Sequence, residues 1–510
     1  MSGRSGAMPR ELRIGLITLV VTVGLIALFV IVAPYYSTQT WWELRKAVGW
    51  VVPLALVLAL QFGLLLFGEQ SDSGAAKFGA VVIGLALVVG FVGWLFAHEY
   101  QQDKVYARSV QATTDPVPEL GQRAPFTIAT AQVRPNLGDV AGEVQSTMYV
   151  PREGTFSTLV ERRGSFSGYQ TLLEQRIPLT GRGQAIRCDF ASTADARLGG
   201  VFNHSLERAV NSERRWVNFA QDDVYGICLD GAPKVVIPLK EQDGWLIVHE
   251  RPAGVAVYDG RTGTLEFRDD AGGLPGPSYP LSLAAAQREA TGAIGGFTEW
   301  LFGRVGWELA DEADSVNSSN ASEFVLTTEG ESPRELYVTP QTGRGATTAI
   351  SAITTVDATL RGPGLAPLVV HKLGAPWLSP GAVTERIRGD FGDVFATQPG
   401  AGIHELAPLD GDRWAATIGN TQNVLYRVEG VGDLSDPPCL RTATGTRIRC
   451  GPAVNQGGSG PGLAIGPSGS GSPPVPPAPV SADLATLPNE QLVDLIARAN
   501  DEAARRLAGS

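Results

Sequence analysis

Histidine is scarce and scattered in this chain. The five residues, His98, His204, His249, His371 and His404, form no HExxH and no paired spacing, so that kind of zinc chemistry lacks a ligand set. No GxxxxGK[ST] phosphate loop occurs, which argues against an ATP-driven role. No GxSxG elbow occurs either: Gly164-Ser165-Phe166-Ser167-Gly168 puts Phe where the nucleophile would sit. Excess positive charge is missing too. With 41 Lys and Arg against 52 Asp and Glu, the net charge is -11, which argues against nucleic acid as a partner. The paired carboxylates Asp222-Asp223 and Asp269-Asp270 sit in apparent turns, where solvated charge is the default. No metal, cofactor or catalytic residue is expected on these grounds, although an enzyme can assemble its site from residues distant in sequence.

The most informative absence is charge within three long apolar runs. Residues 14–33, 47–67 and 78–97 contain no Asp, Glu, Lys or Arg, and each can cross a hydrocarbon core of about 30 Å as a helix. Trp41, Trp42, Trp50, Trp94, Tyr35, Tyr36 and Tyr100 cluster near the run ends, where interfacial aromatics belong. The lipid bilayer is therefore the first expected partner. The spans offer no support for an ion or proton path. Ala80 with Gly84 and Ala86 with Gly90 give the third run a small-residue face, suited to packing among these helices or to oligomerisation. The first run is too long for a signal peptide and has no clean cleavage site before Pro34, so an uncleaved helix is expected.

Arg4, Arg10 and Arg13 precede the first run, and Arg45 and Lys46 follow it, a bias that favours a cytoplasmic N-terminus over residues 1–13. Three crossings then place the large domain outside a plasma membrane. The cysteines agree. Cys188, Cys228, Cys439 and Cys450 all lie in that domain, an even set without CxxC or Cys/His spacing, which points to two disulfides more than to a metal. Proximity in sequence favours Cys188 with Cys228 and Cys439 with Cys450.

The fold expected is a three-helix transmembrane anchor followed by an α+β ectodomain, a helix on an antiparallel meander, with duplication of that unit as one reading. Residues 98–153, with Pro116, Pro118, Pro125 and Pro135, read as a stalk, 154–275 as a first α+β module and 276–452 as a second. Within the first, 184–190 reads as a strand. Residues 194–210 put Leu198, Val201, Phe202, Leu206 and Val210 on one helical face. Short apolar runs then alternate with Asp230-Gly231, Asp243-Gly244 and Asp259-Gly260, dipeptides that suit tight hairpin turns. The aromatic-rich stretch ending in Phe297, Trp300, Leu301, Phe302, Val305 and Trp307 suits a core or a membrane surface.

Pro178-Leu179-Thr180-Gly181-Arg182-Gly183 is echoed by Pro340-Gln341-Thr342-Gly343-Arg344-Gly345, and the echo continues through Thr193/Thr355, Asp195/Asp357 and Leu198/Leu360. Arg182 and Arg344 in these turns are candidate anion contacts. Residues 453–484 are rich in Gly, Ser and Pro, a disordered-linker composition, and 485–510 read as an amphipathic helix. Its apolar stripe includes Leu492, Leu495 and Ile496, a possible docking element for a protein partner or a second copy.

The stretch Ala253-Gly254-Val255-Ala256-Val257-Tyr258-Asp259-Gly260-Arg261-Thr262-Gly263 resembles the PepSY pattern, in which a helix packs on a small antiparallel sheet. That resemblance implies an extracytoplasmic or membrane-anchored binding or inhibitory module, and it transfers no site residues. The use of Arg over Lys, with abundant Gly, Ala and Pro, is that expected of a high-GC bacterium such as an actinomycete. The functional expectation is a non-enzymatic envelope protein presenting a binding or scaffold domain, in a chromosomal envelope system, a conjugative element, a phage or a secretion-related assembly. An exported cell-wall or peptide hydrolase and a transport-complex subunit are the alternatives.

Overall fold

The three uncharged runs are helical, and two of the helices outlast them. In the computed structural model, which describes residues 10–70, 73–179, 183–310, 323–345 and 347–452, α1 spans Arg10–Val32, α2 Pro34–Gln70 and α3 Gly74–Ala107. Each is long and apolar enough to cross a membrane. Arg182, the linker and the C-terminal stripe of Leu492, Leu495 and Ile496 lie outside the described residues. Between α1 and α2, Ala33 donates to Phe29 O and Ser37 donates to Ala33 O, so the helical ladder runs through the junction at Pro34. Gln61 donates to Gly84 O (3.1 Å) and Trp94 to Gly49 O (2.8 Å), which pairs α2 with α3 and turns Gly84 of the small-residue face toward α2.

Beyond the apolar runs, residues 34–46 and 98–107 stay helical because they are built into the large domain. Residues 98–153 are thus no free stalk. They complete α3, add β1 (Val110–Thr113) and α4 (Phe126–Leu137), and open β2 (Gly142–Val150). Strands β3 (Thr155–Arg162), β4 (Tyr169–Arg176) and β5 (Gln184–Asp189) complete an antiparallel meander with β2. Helix α5 (Leu206–Glu213) precedes a second meander, β6 (Tyr225–Leu229), β7 (Ala232–Asp243), β8 (His249–Asp259) and β9 (Leu265–Arg268). Helices α6 (Leu281–Glu289) and α7 (Phe297–Leu301) follow.

A six-stranded sheet then gathers β10 (Trp307–Leu309), β11 (Phe324–Thr327), β12 (Glu335–Gly343), β13 (Ile350–Asp357) and β14 (Leu368–Trp377), with β1 joining β14 in parallel. After α8 (Pro380–Asp390) and α9 (Gly392–Thr397), strands β15 (Gly402–Asp410), β16 (Arg413–Gly419), β17 (Val424–Val431), β18 (Cys439–Thr442) and β19 (Arg447–Cys450) form a last meander.

Shared cores join these sheets in series. Leu159, Tyr169 and Leu172 of the first meander meet Val235, Ile237 and Ala256 of the second, under Leu206 and Val210 of α5. The second meander meets the six-stranded sheet through Tyr225, Val236, Val257, Tyr337 and Val356, around Leu283 of α6. That sheet meets the last through Val338, Ile353, Trp414 and Val428, around Ile387 and Phe391. An α+β layer with a helix over a meander is the architecture seen. The sequence echo is out of step with the strands: Pro340 and Gln341 belong to β12, whereas their counterparts Pro178 and Leu179 follow the end of β4.

The helix read over 194–210 is shorter than its apolar spacing implies. Gly199 adopts φ +66, and a Cβ on Gly200 would lie 2.0 Å from His204 O, so the chain turns there. Only Leu206 and Val210 of the expected face enter α5 and the core, while Phe202 is two-thirds exposed with φ +54. Of the three Asp-Gly pairs, Asp230 and Gly231 both take positive φ in the β6–β7 turn. Asp259 instead accepts from Arg261 N and Thr262 N, which leaves the positive φ to Gly263.

Two charge contacts hold the assembly, the first of them buried. Arg123 lies against the rings of Phe126, Tyr149, Phe156 and Phe324 and pairs with Glu405 at 2.7 Å, while Glu405 also accepts from Phe126 N at 2.6 Å. Both side chains are almost wholly buried, so removing one strands the other's charge. Arg123→Ala is expected to lower the unfolding free energy by about 3–5 kcal/mol. A denaturant titration returning on the order of 1 kcal/mol or less, as for an exposed pair, contradicts that.

The second contact is Glu250 of β8. Its carboxylate pairs with Lys46 of α2 (3.0 Å) and Lys240 of β7 (2.7 Å), and its amide donates to the Tyr106 hydroxyl of α3 (2.7 Å). Burial opposes ionisation of Glu250, but Lys240 and then Lys46 outweigh it and hold the carboxyl below its usual range. A depressed carboxyl pKa supplies stability that is present above the unfolded value, about 4.3, and is lost as pH falls through the folded one. Melting temperatures measured from neutral to acid pH should therefore converge for wild type and Glu250→Gln at the acid end. Parallel curves would show that the contact carries none of the acid sensitivity.

Candidate functional site

A polar cleft of about 430 Å³ lies at the edge of the first two meanders. Strand pairing sets Glu143 of β2 beside Glu161 of β3, and Tyr225 and Gly226 of β6 form the adjoining wall. Gly226 is required there: a Cβ would meet Leu172 Cδ1 at 2.4 Å. Ser157 donates to Gly226 O at 2.6 Å and ties the two walls together. The remaining wall is the 195–207 connector, reached through Arg197, Leu198 and Gly199.

Charge fixes that connector. Arg197 and Glu161, each less than a tenth exposed, form an ion pair, and Arg197 Nη2 donates to Gly164 O at 3.2 Å. Arg197 Nε is buried with no hydrogen-bond partner. Buried Glu207 accepts from Gly199 N (2.8 Å) and Ser205 Oγ (2.9 Å), and Asp195 accepts from Gly168 N (2.6 Å) and Arg162 (3.2 Å). Tyr169, wholly buried, accepts from Leu198 N at 3.2 Å, and burial pushes its phenol pKa upward. Phe202 of the connector stacks on Phe166 with ring centres 6.3 Å apart, both about two-thirds exposed.

His204 Nδ1 lies 3.1 Å from the Asp195 carboxylate and 2.9 Å from its carbonyl. Among the described residues no hydroxyl is hydrogen-bonded to the other ring nitrogen, so this pair lacks the geometry of an activated serine. Glu161 is matched to Arg197, and Glu143 and Asp222 are exposed at the rim. The arrangement suits binding of a polar group in the cleft.

The residues singled out in the sequence are distributed elsewhere. Cys188 and Cys228 are bonded, joining β5 to β6, and Cys439 and Cys450 are bonded across β18 and β19. Arg344 turns inward and donates to Glu289 O at the end of α6. Beyond the two bonded pairs these residues are not brought together among the described residues, and none lines the cleft. Arg197, Glu161 and the Phe166–Phe202 stack were not legible as a site. Their partners are 36 residues apart in the pair and in the stack, and nothing in one sequence marks which Glu will be buried beside which Arg.

No family model, curated protein or solved structure matches the chain. The PepSY-type likeness of the β8–β9 hairpin therefore gains no support from relatives, and the functional argument rests on geometry.

Arg197→Ala should leave Glu161 without its cation and release the connector. Chymotryptic cleavage at Phe202 is then expected to accelerate several-fold under native conditions. An unchanged rate would show that Glu207 and Asp195 hold the loop without Arg197.

Proposed function

We propose that this chain is a non-enzymatic, membrane-anchored envelope protein that presents a rigid extracytoplasmic binding or scaffold domain at a fixed height above the bilayer. The observation that carries the reading is the continuation of α2 and α3 into the domain. Trp42 Nε1 donates to Trp216 O (3.0 Å), Gln102 to Val248 O (3.1 Å) and Lys104 to Ala293 O (2.8 Å), so the domain is bolted to its anchor and not leashed to it. A rigid mount suits presentation of a surface to a partner. Two disulfides support the outside placement, because such bonds persist in oxidising compartments. The cleft, with Glu161 matched to Arg197 inside it and Glu143 and Asp222 exposed at its rim, is the surface we assign to the partner. The C-terminal stripe of Leu492, Leu495 and Ile496 is a second contact, for a protein partner or another copy, in a conjugative, phage, secretion-related or chromosomal envelope assembly.

All four native cysteines are bonded, so a single introduced cysteine reports its own side of the membrane. A membrane-impermeant maleimide applied to intact cells should label Ser332→Cys and spare Ser71→Cys. The reverse pattern would put the domain in the cytoplasm and end this reading.

A further inference from the structure

The Phe297–Phe302 segment after α6 leaves large apolar side chains exposed. Phe297, Leu301 and Phe302 are 39%, 40% and 62% exposed, and Trp245, in the loop between β7 and β8, is 71% exposed. Large apolar side chains at this exposure in two separate loops need an explanation.

Their height supplies one. The apolar run of α3 ends at Ala97. Tyr100 donates to Gly295 O (3.2 Å), and its ring meets those of Phe297 (5.5 Å) and Trp300 (5.6 Å). At 1.5 Å per residue, Tyr100 stands about 4.5 Å above the end of the run. His98, one residue past it, is 2.8 Å from Leu246 O, which sets Trp245 at the same level. The polar layer of a bilayer is roughly 5–8 Å thick on each side. Both loops therefore fall within it.

Their placement around α3 identifies what they touch. At 3.6 residues per turn, the positions that hold the β8 side, His98 and Gln102, lie on the opposite face of α3 from Tyr100 and Lys104, which hold the α7 side. A protein partner needs one contiguous face, whereas a plane normal to α3 meets both loops at once. We infer that Trp245 and the Phe297–Phe302 segment are seated in the lipid interface of the membrane that α3 crosses, so that the large domain rests on the bilayer as well as hanging from it. Aromatic rings favour that layer. Arg304, whose guanidinium lies 4.9 Å from the Phe302 ring centre, brings a cation to the depth of the lipid phosphates.

The test uses the full chain reconstituted in phosphatidylcholine–phosphatidylglycerol vesicles. A nitroxide is attached in turn at Trp245→Cys, Phe302→Cys and Ile448→Cys, all exposed positions whose replacement removes no core packing. Ile448 is the control, on edge strand β19 of the last meander, which is not hydrogen-bonded to α2 or α3 among the described residues. Labels at 245 and 302 should show collision with an aqueous nickel chelate reduced several-fold relative to 448, and collision with oxygen increased. Aqueous accessibility equal to that of 448 at either site overturns the inference. So does dipolar broadening between labels at 302, which would mean that a second copy covers the patch. These readings report depth whichever side the domain occupies, so their failure is distinct from failure of the topology.

Discussion

Everything above the membrane is positioned by the requirement that α2 and α3 leave it without unwinding. A helix end in the interface exposes unpaired carbonyls and amides. This chain avoids that by carrying both helices several turns further and spending their polar side chains on the domain's loops. Gly49 is where the constraint is tightest: a Cβ there would stand 1.9 Å from His98 Nε2 and 2.6 Å from Leu246 O. Because α2, α3 and the β7–β8 loop converge on that point, the loop's height is set by the helices. Lys104 does the same on the other face, with its ammonium against the carbonyls of Ala293, Ile294 and Gly295.

The same helices decide how the domain is threaded. After α3 the chain does not begin the first meander. It lays β1 beside β14 in parallel, Val110 against Leu368 and Thr113 against His371, and so enters the six-stranded sheet first. Only then does α4 cross to cover the meander that carries the cleft, burying Val133 and Leu137 against Val160 and Leu173. Arg123 sits on this crossing, between the aromatic rings of the first meander, Phe324 of the six-stranded sheet and Glu405 of the last. One buried cation thus joins three sheets, and a register error in any of them would leave it unpaired.

Much of this was legible where a single physical signal dominated. Uncharged runs of membrane length gave the spans, and β5, β6 and β9 followed from short apolar runs between turns. The signals that failed were those in competition. Charged residues after Ala97 masked the rest of α3, since nothing local reveals that Gln102 and Lys104 will find carbonyls 146 and 189 residues away. Apolar spacing over 194–210 fitted a helix, but Gly199-Gly200 and the buried carboxylate of Glu207 favoured a turn. The prolines at 116, 118 and 125 were read as a stalk, whereas Val117, Leu120 and Ala124 between and beside them are buried. Proline in an extended, packed segment looks the same in sequence as proline in a free one.

The cleft wall and the strand that holds the anchor helices belong to one sheet. Tyr225 and Gly226 in the cleft wall pair with Val236 and Val235 of β7, and β7 pairs with β8, whose Glu250 grips Lys46 and Tyr106. Two strand spacings of about 5 Å separate the cleft wall from the strand that holds the anchor. Within the four-stranded meander β7 and β8 are central strands, paired on both sides, so displacement of the wall must break ladder bonds or move β8 with it. A partner gripping the cleft would pull on the anchor through hydrogen-bonded backbone, with no loop in between to absorb the load. A fixed mount is of use to a protein whose partner must be met at a set distance from the membrane, and of little use to one that must reach for a soluble substrate.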